Sequence, residues 1–147
     1  MNDNQPSTIK ILWNDYVAFL AAIFCLMAPG LYIYDTYFAN KPISNMLWIT
    51  TAIFIVAIFF LIYRYFTILS LYNNGLEAKA LITEIGFFRD RGIIKYNFQF
   101  NGQNHASHMR VMKNKKTTSY QVGMEIKVIV DRENPKRSLI KELFQQD

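Results

Sequence analysis

Between Tyr16 and Leu69 the chain holds two long apolar runs with no polar face. The first, Tyr16 to Phe38, carries no charge before Asp35; the second, Met46 to Leu69, carries none before Arg64. A helix rises about 1.5 Å per residue and a bilayer's hydrocarbon core is about 30 Å thick, so about 20 mostly apolar residues cross it. Both runs meet that length, and the short polar ANKPISN between them, with its proline, suits the turn of a helical hairpin. The pattern predicts an N-terminal tail over 1–15 and a transmembrane hairpin over 16–72, with spans at about 16–38 and 46–69.

Beyond residue 72 the period changes from helical to two. In IKYNFQFN, Ile94, Tyr96, Phe98 and Phe100 alternate with Lys95, Asn97, Gln99 and Asn101, the signature of a half-buried strand. Asn101-Gly102 follows, a pair that tolerates positive φ and favours a type I′ hairpin turn, so an antiparallel strand begins near Gln103. Gly75 to Phe88 is β-compatible, and Asn73-Asn74-Gly75 argues that the second helix stops before it. EIKVIV alternates Ile126, Val128 and Val130 against Glu125, Lys127 and Ile129; the polar DRENPKRS then leads to a short strand at Leu139 and Ile140. Five short strands over 73–147 predict an α+β membrane protein whose second domain is a small antiparallel β-barrel or twisted sheet, OB-like in its economy, because closure protects strand edges.

The span borders carry the residues that favour a headgroup region. Tyr32, Tyr34 and Tyr37 cluster at the end of the first span; Trp48, Tyr63 and Tyr65 mark the ends of the second. Arg64 is read with them as an interface anchor, its aliphatic stem along the helix and its guanidinium at the headgroups, and Asp35 has the same reading at the opposite border. Pro29-Gly30 is read as a plain kink. The long apolar run, the weakly charged tail and the second span argue against a cleaved signal peptide. Lys41 is the only cation in the linking turn, whereas Arg64, Lys79, Arg89, Arg91 and Lys95 follow the second span. The positive-inside rule therefore expects both termini on the cytoplasmic side of the inner membrane.

Four stretches carry a resemblance: Gly75-Leu-Glu-Ala-Lys-Ala-Leu-Ile, Tyr96-x-Phe-x-Phe-x-x-Gly102, Gly123-x-x-Ile-x-Val and Asn134-Pro135-x-x-Ser138. With the two preceding helices, they make the chain similar to a large bacterial family of membrane-anchored small β-domain proteins, catalogued only as a domain of unknown function. The shared positions are structural: turn glycines, an aromatic strand and an Asn-Pro turn. Members often have a tyrosine and a proline near the positions held here by Val130 and Arg132. The resemblance implies the fold and no catalytic residue.

Candidate chemistry is sparse. His105 and His108, three apart on one strand, should face opposite sides and so not share an ion. Glu77 and Glu84, seven apart on another, are likewise expected on opposite faces, which separates them as an acid and base pair. Cys25 stands alone, which excludes an intramolecular disulfide, and its apolar span disfavours a thiolate. There is no glycine-rich phosphate loop, Cys-x-x-Cys or Gly-x-Ser-x-Gly. No catalytic, cofactor or metal site is expected, and the chain is read as non-enzymatic.

Charge adds one feature. From residue 70 onward there are 13 Lys and Arg against 8 Asp and Glu, which is the whole of the net charge of +5. Arg110, Lys113, Lys115 and Lys116 concentrate it beside the membrane, as a contact for anionic lipid or a partner, or as a solvated loop with positive-inside bias. Tyr96, Phe98 and Phe100 with basic loops resemble a single-strand stacking platform, but they are also the domain's one good core face, and nucleic acid is not expected. The leading expectation is an accessory or scaffolding protein whose partners are membrane lipids and another membrane protein or a second copy. An immunity factor against a membrane-acting toxin and a small-ligand or lipid sensor are the alternatives.

Overall fold

The computed structural model describes residues 6–39 and 43–145; Lys41, the cation of the linking turn, lies outside the described residues. Helices α2 (Tyr16–Tyr37) and α3 (Met46–Asn74) form an antiparallel hairpin. The 22 residues of α2 reach roughly 33 Å, one hydrocarbon core, whereas the 29 of α3 reach roughly 43 Å. In their most apolar windows only 17% and 11% of residues are buried. Leu26 is 77% exposed and Phe59 66%. The core helix of a soluble domain would be covered by protein; these two, bare and apolar around most of their circumference, need lipid.

The extra turns of α3 enter the second domain. Ile68 and Leu71 are buried in the same core cluster as Ile94, Tyr96, Val128 and Ile140. The expected boundary at 72 therefore falls inside a continuous helix whose lower end belongs to the barrel. That helix stops at Gly75, though not by a left-handed turn: its φ is −73° and its N–H donates to the Leu71 carbonyl at 2.8 Å. Glycine is required there for space. A Cβ would lie 2.4 Å from the Leu71 carbonyl oxygen and 2.3 Å from Ile129 Cγ2.

Strands β1 (Leu76–Phe88), β2 (Arg91–Phe100), β3 (Gln103–Met112), β4 (Glu125–Val130) and β5 (Ser138–Ile140) make one antiparallel sheet in the order β3-β2-β1-β4-β5. The sheet curls until β3 and β5 approach, giving a nearly closed five-strand barrel with a seam between those two edges. The β2 alternation holds as expected, with Ile94, Tyr96, Phe98 and Phe100 inside. Asn101 and Gly102 have φ of 51° and 76°, as a type I′ turn needs. The expected outward direction of Ile129 does not hold: it is 3% exposed, because the end of α3 covers that side of β4 at Gly75. A bulge between Ile82 and Glu84 also shifts the alternation of β1, so Glu77 and Glu84 share the outer face instead of facing apart. They bind separate lysines there, Lys141 and Lys95.

The segment read as a tail contains a helix, α1 (Thr8–Asn14). Its Ile11 is 2% exposed in the barrel core. Its polar ends fasten to the chain's last described residues: the Ser7 N–H donates to the Phe144 carbonyl at 3.0 Å, Lys10 Nζ to that of Gln145 at 2.8 Å and Asn14 Nδ2 to that of Leu143 at 2.6 Å. Those carbonyls lie at the end of a single 3₁₀ turn (Lys141–Leu143) and in the two residues after it.

Candidate functional site at the open seam of the barrel

Asp15, between α1 and α2, is the joint of the molecule. Its backbone is extended (φ −91°, ψ 115°) and bridges to Val111 on the edge of β3. Its Oδ1 accepts from the Ala18 N–H at 2.9 Å, capping α2, and its Oδ2 accepts from Arg64 Nε at 3.0 Å and Nη2 at 2.6 Å. An anionic cap at a helix N-terminus with a guanidinium on its other oxygen is a satisfied buried charge. Arg64 therefore turns inward to Asp15 instead of snorkelling as a free interface anchor. Asp35 also differs from its expected anchoring: it is buried, and both its oxygens accept from the Ile43 N–H, at 3.1 and 3.2 Å. Trp48, in the first turn of α3, is 73% exposed, and Tyr63, well inside α3, is 58% exposed with its ring stacked on Phe59 at 6.5 Å, whereas Tyr65 packs against the core beside α1.

Below that joint, at the seam, lies a cavity of about 260 Å³. Arg64 and Thr67 of α3, His108 and Arg110 of β3, and Lys136 and Arg137 before β5 line it, with Val17 of α2 at its upper rim. The seam is laced by side chains instead of a strand ladder: Tyr96 Oη meets Ser138 Oγ at 3.0 Å and Ser107 Oγ donates to the Lys136 carbonyl at 3.4 Å. Burial pushes the Tyr96 phenol up, against the weaker lowering effect of the Ser138 hydroxyl, so it remains a neutral hydrogen-bonding plug. Arg64 faces Asp15, and Arg137 faces Asp131 at 3.6 Å. Among the described residues no carboxylate pairs with Arg110 or Lys136, so the cavity is basic. Val17 also lines a groove of about 550 Å³ between the helices, walled by Leu20, Ala21, Phe24, Ala52 and Phe60.

The basic cluster expected from sequence is split. Arg110 lines the seam; Lys113 is exposed; Lys115 and Lys116 ride on a single turn, α4 (Lys115–Thr118). Asn114 caps that turn reciprocally with Thr117, and its Nδ2 donates to Asn14 Oδ1 at 2.7 Å, which holds the turn beside α1. His105 and His108 face apart as expected: His105 stacks on Phe98 with centroids 5.6 Å apart, and His108 faces the seam cavity. Arg64, Lys136 and Arg137, which line the seam cavity with Arg110, were not foreseen there. A signal was available for the Asp15–Arg64 pair alone: a lone acid just before one span and a lone base near the end of the other, which an antiparallel hairpin brings level.

A second surface lies at the β1–β2 turn. Phe88 is 61% exposed, and the guanidinium carbons of Arg89 and Arg91 sit 5.4 and 5.7 Å from its ring centroid. Tyr16, Phe19 and Leu20, the first turns of α2, border this tip.

These features define an integral membrane protein in which a helical hairpin carries a small, partly open β-barrel on a shared core. Comparison with family models, with curated proteins and with solved structures gives no match.

Proposed function

We propose that this chain is a non-enzymatic inner-membrane protein, with both termini cytoplasmic, that presents its β-barrel to a membrane partner as an accessory or scaffolding component. The observation that carries this reading is the shared core. Ile11, Ile68 and Leu71 pack with the barrel strands, so the domain has a fixed attitude to the bilayer and is not a tethered head on a linker. A fixed attitude favours contacts made by domain and span together. The Phe88 tip supports the choice of contact, since aromatic and arginine side chains are the usual anchors of interfaces and this one borders the start of α2.

Photocrosslinking from a benzophenone amino acid at position 88, in native membranes, tests the reading. One predominant adduct is expected, and its mass distinguishes a foreign partner from a second copy. Exposed Gln99, on β2, is the control. Labelling at position 88 no stronger than at position 99 would overturn the proposal.

A further inference from the structure

We infer that the seam cavity and the groove above it form one binding site for an anionic phospholipid, its phosphate on Arg110 and Lys136 and an acyl chain along α2 and α3. Two chemistries meet at Val17. On the domain side lie Arg64, His108, Arg110, Lys136 and Arg137, and on the membrane side lie Leu20, Ala21, Phe24, Ala52 and Phe60. Val17 is the second residue of α2, so the basic half lies at headgroup depth and the apolar half within the hydrocarbon.

Charge complementarity selects the headgroup. Asp15 neutralises Arg64 and Asp131 faces Arg137, while Arg110 and Lys136 have no acidic counterpart among the described residues. A phosphodiester supplies the missing negative charge and oxygen acceptors for a guanidinium fork. The hydroxyl of Thr67 is already committed to the Tyr63 carbonyl, at 2.8 Å, so cations dominate recognition. A free phosphate or a nucleic-acid backbone would use the cavity and leave the groove empty; continuity through Val17 favours a molecule with both parts. The inference does not depend on the Phe88 contact, which lies elsewhere on the domain.

Native mass spectrometry of the full-length protein, released from mild detergent after addition of phosphatidylglycerol, phosphatidylcholine or inorganic phosphate, tests it. One retained phosphatidylglycerol per chain is expected, with phosphatidylcholine retained on the order of tenfold more weakly. The double variant R110Q/K136Q should lower phosphatidylglycerol to the phosphatidylcholine level. Both residues are exposed, so the fold should survive. A52F, at an exposed groove position, should displace the lipid without touching a charge. K113Q/K115Q, on the neighbouring loop, should change nothing. Equal retention of the two lipids, or equal loss in the loop variant, would reduce the effect to general membrane attraction and overturn the site. Phosphate competing fully while A52F leaves retention intact would assign the cavity to a free anion and overturn it as well.

Discussion

The carboxylate of Asp15 accepts from three donors while its side chain is 1% exposed, and two of those donors belong to Arg64. Removing the guanidinium leaves a buried charge with only the Ala18 N–H for company. Arg64→Ala should therefore cost about 3 kcal/mol, while Arg64→Lys should recover part of that, because an ammonium cannot reproduce the two-nitrogen fork. Tyr63→Ala, at an exposed neighbour, should stay within about 0.5 kcal/mol. Thermal unfolding of the three variants in one detergent checks the order, and an Arg64→Ala protein that melts with the parent would show that the pair does not hold the joint. Each charge was visible in the sequence. Judged separately, however, each fits the ordinary habit of a span-end residue, and only the level at which α2 and α3 pass each other makes them partners.

At the scale of elements, Gly75 is the narrowest place in the chain. The helix-to-strand passage is so tight that an added methyl group meets the Leu71 carbonyl oxygen of α3 on one side, which cannot swing aside as a side chain does, and the Ile129 side chain of β4 on the other. Gly75→Ala should destabilise the protein by about 1–3 kcal/mol. The same thermal unfolding assay reads this, and an unchanged midpoint would mean that both the last turn of α3 and Ile129 of β4 can give way freely. The strands themselves were legible because a half-buried sheet writes its period directly into the sequence, as in Ile94 to Phe100. What was not legible has physical causes. The bulge at Ile82/Glu84 leaves no mark in an apolar stretch. The seven-residue α1 is too short for its period to stand out. The end of α3 is apolar for protein contact where its middle is apolar for lipid, and composition alone does not separate the two.

For the whole molecule, the excess positive charge and the hairpin together make a statement about sidedness. Arg89, Arg91 and Arg110 all line cavities beside the first turns of α2, so they lie next to the membrane and on one side of it. Under the positive-inside rule, a reporter fused after Asp147 should be active only in its cytoplasmic form. A phosphatase reporter active on the outer side would reverse the proposed topology. The layout of hairpin and barrel could be read from the sequence, while the basic seam could not, because its cations come from α3, β3 and the β4–β5 turn and meet only when the sheet curls. The bonds from Ser7, Lys10 and Asn14 to residues 143–145 carry one more consequence, for the order of synthesis. Helix α1 leaves the ribosome before α2, α3 and every strand, yet its Asn14 is fastened by a residue translated 129 positions later. Until then Ile11 has no finished barrel to enter, so α1 stays undocked, and its fastening waits until residues 143–145 have been made.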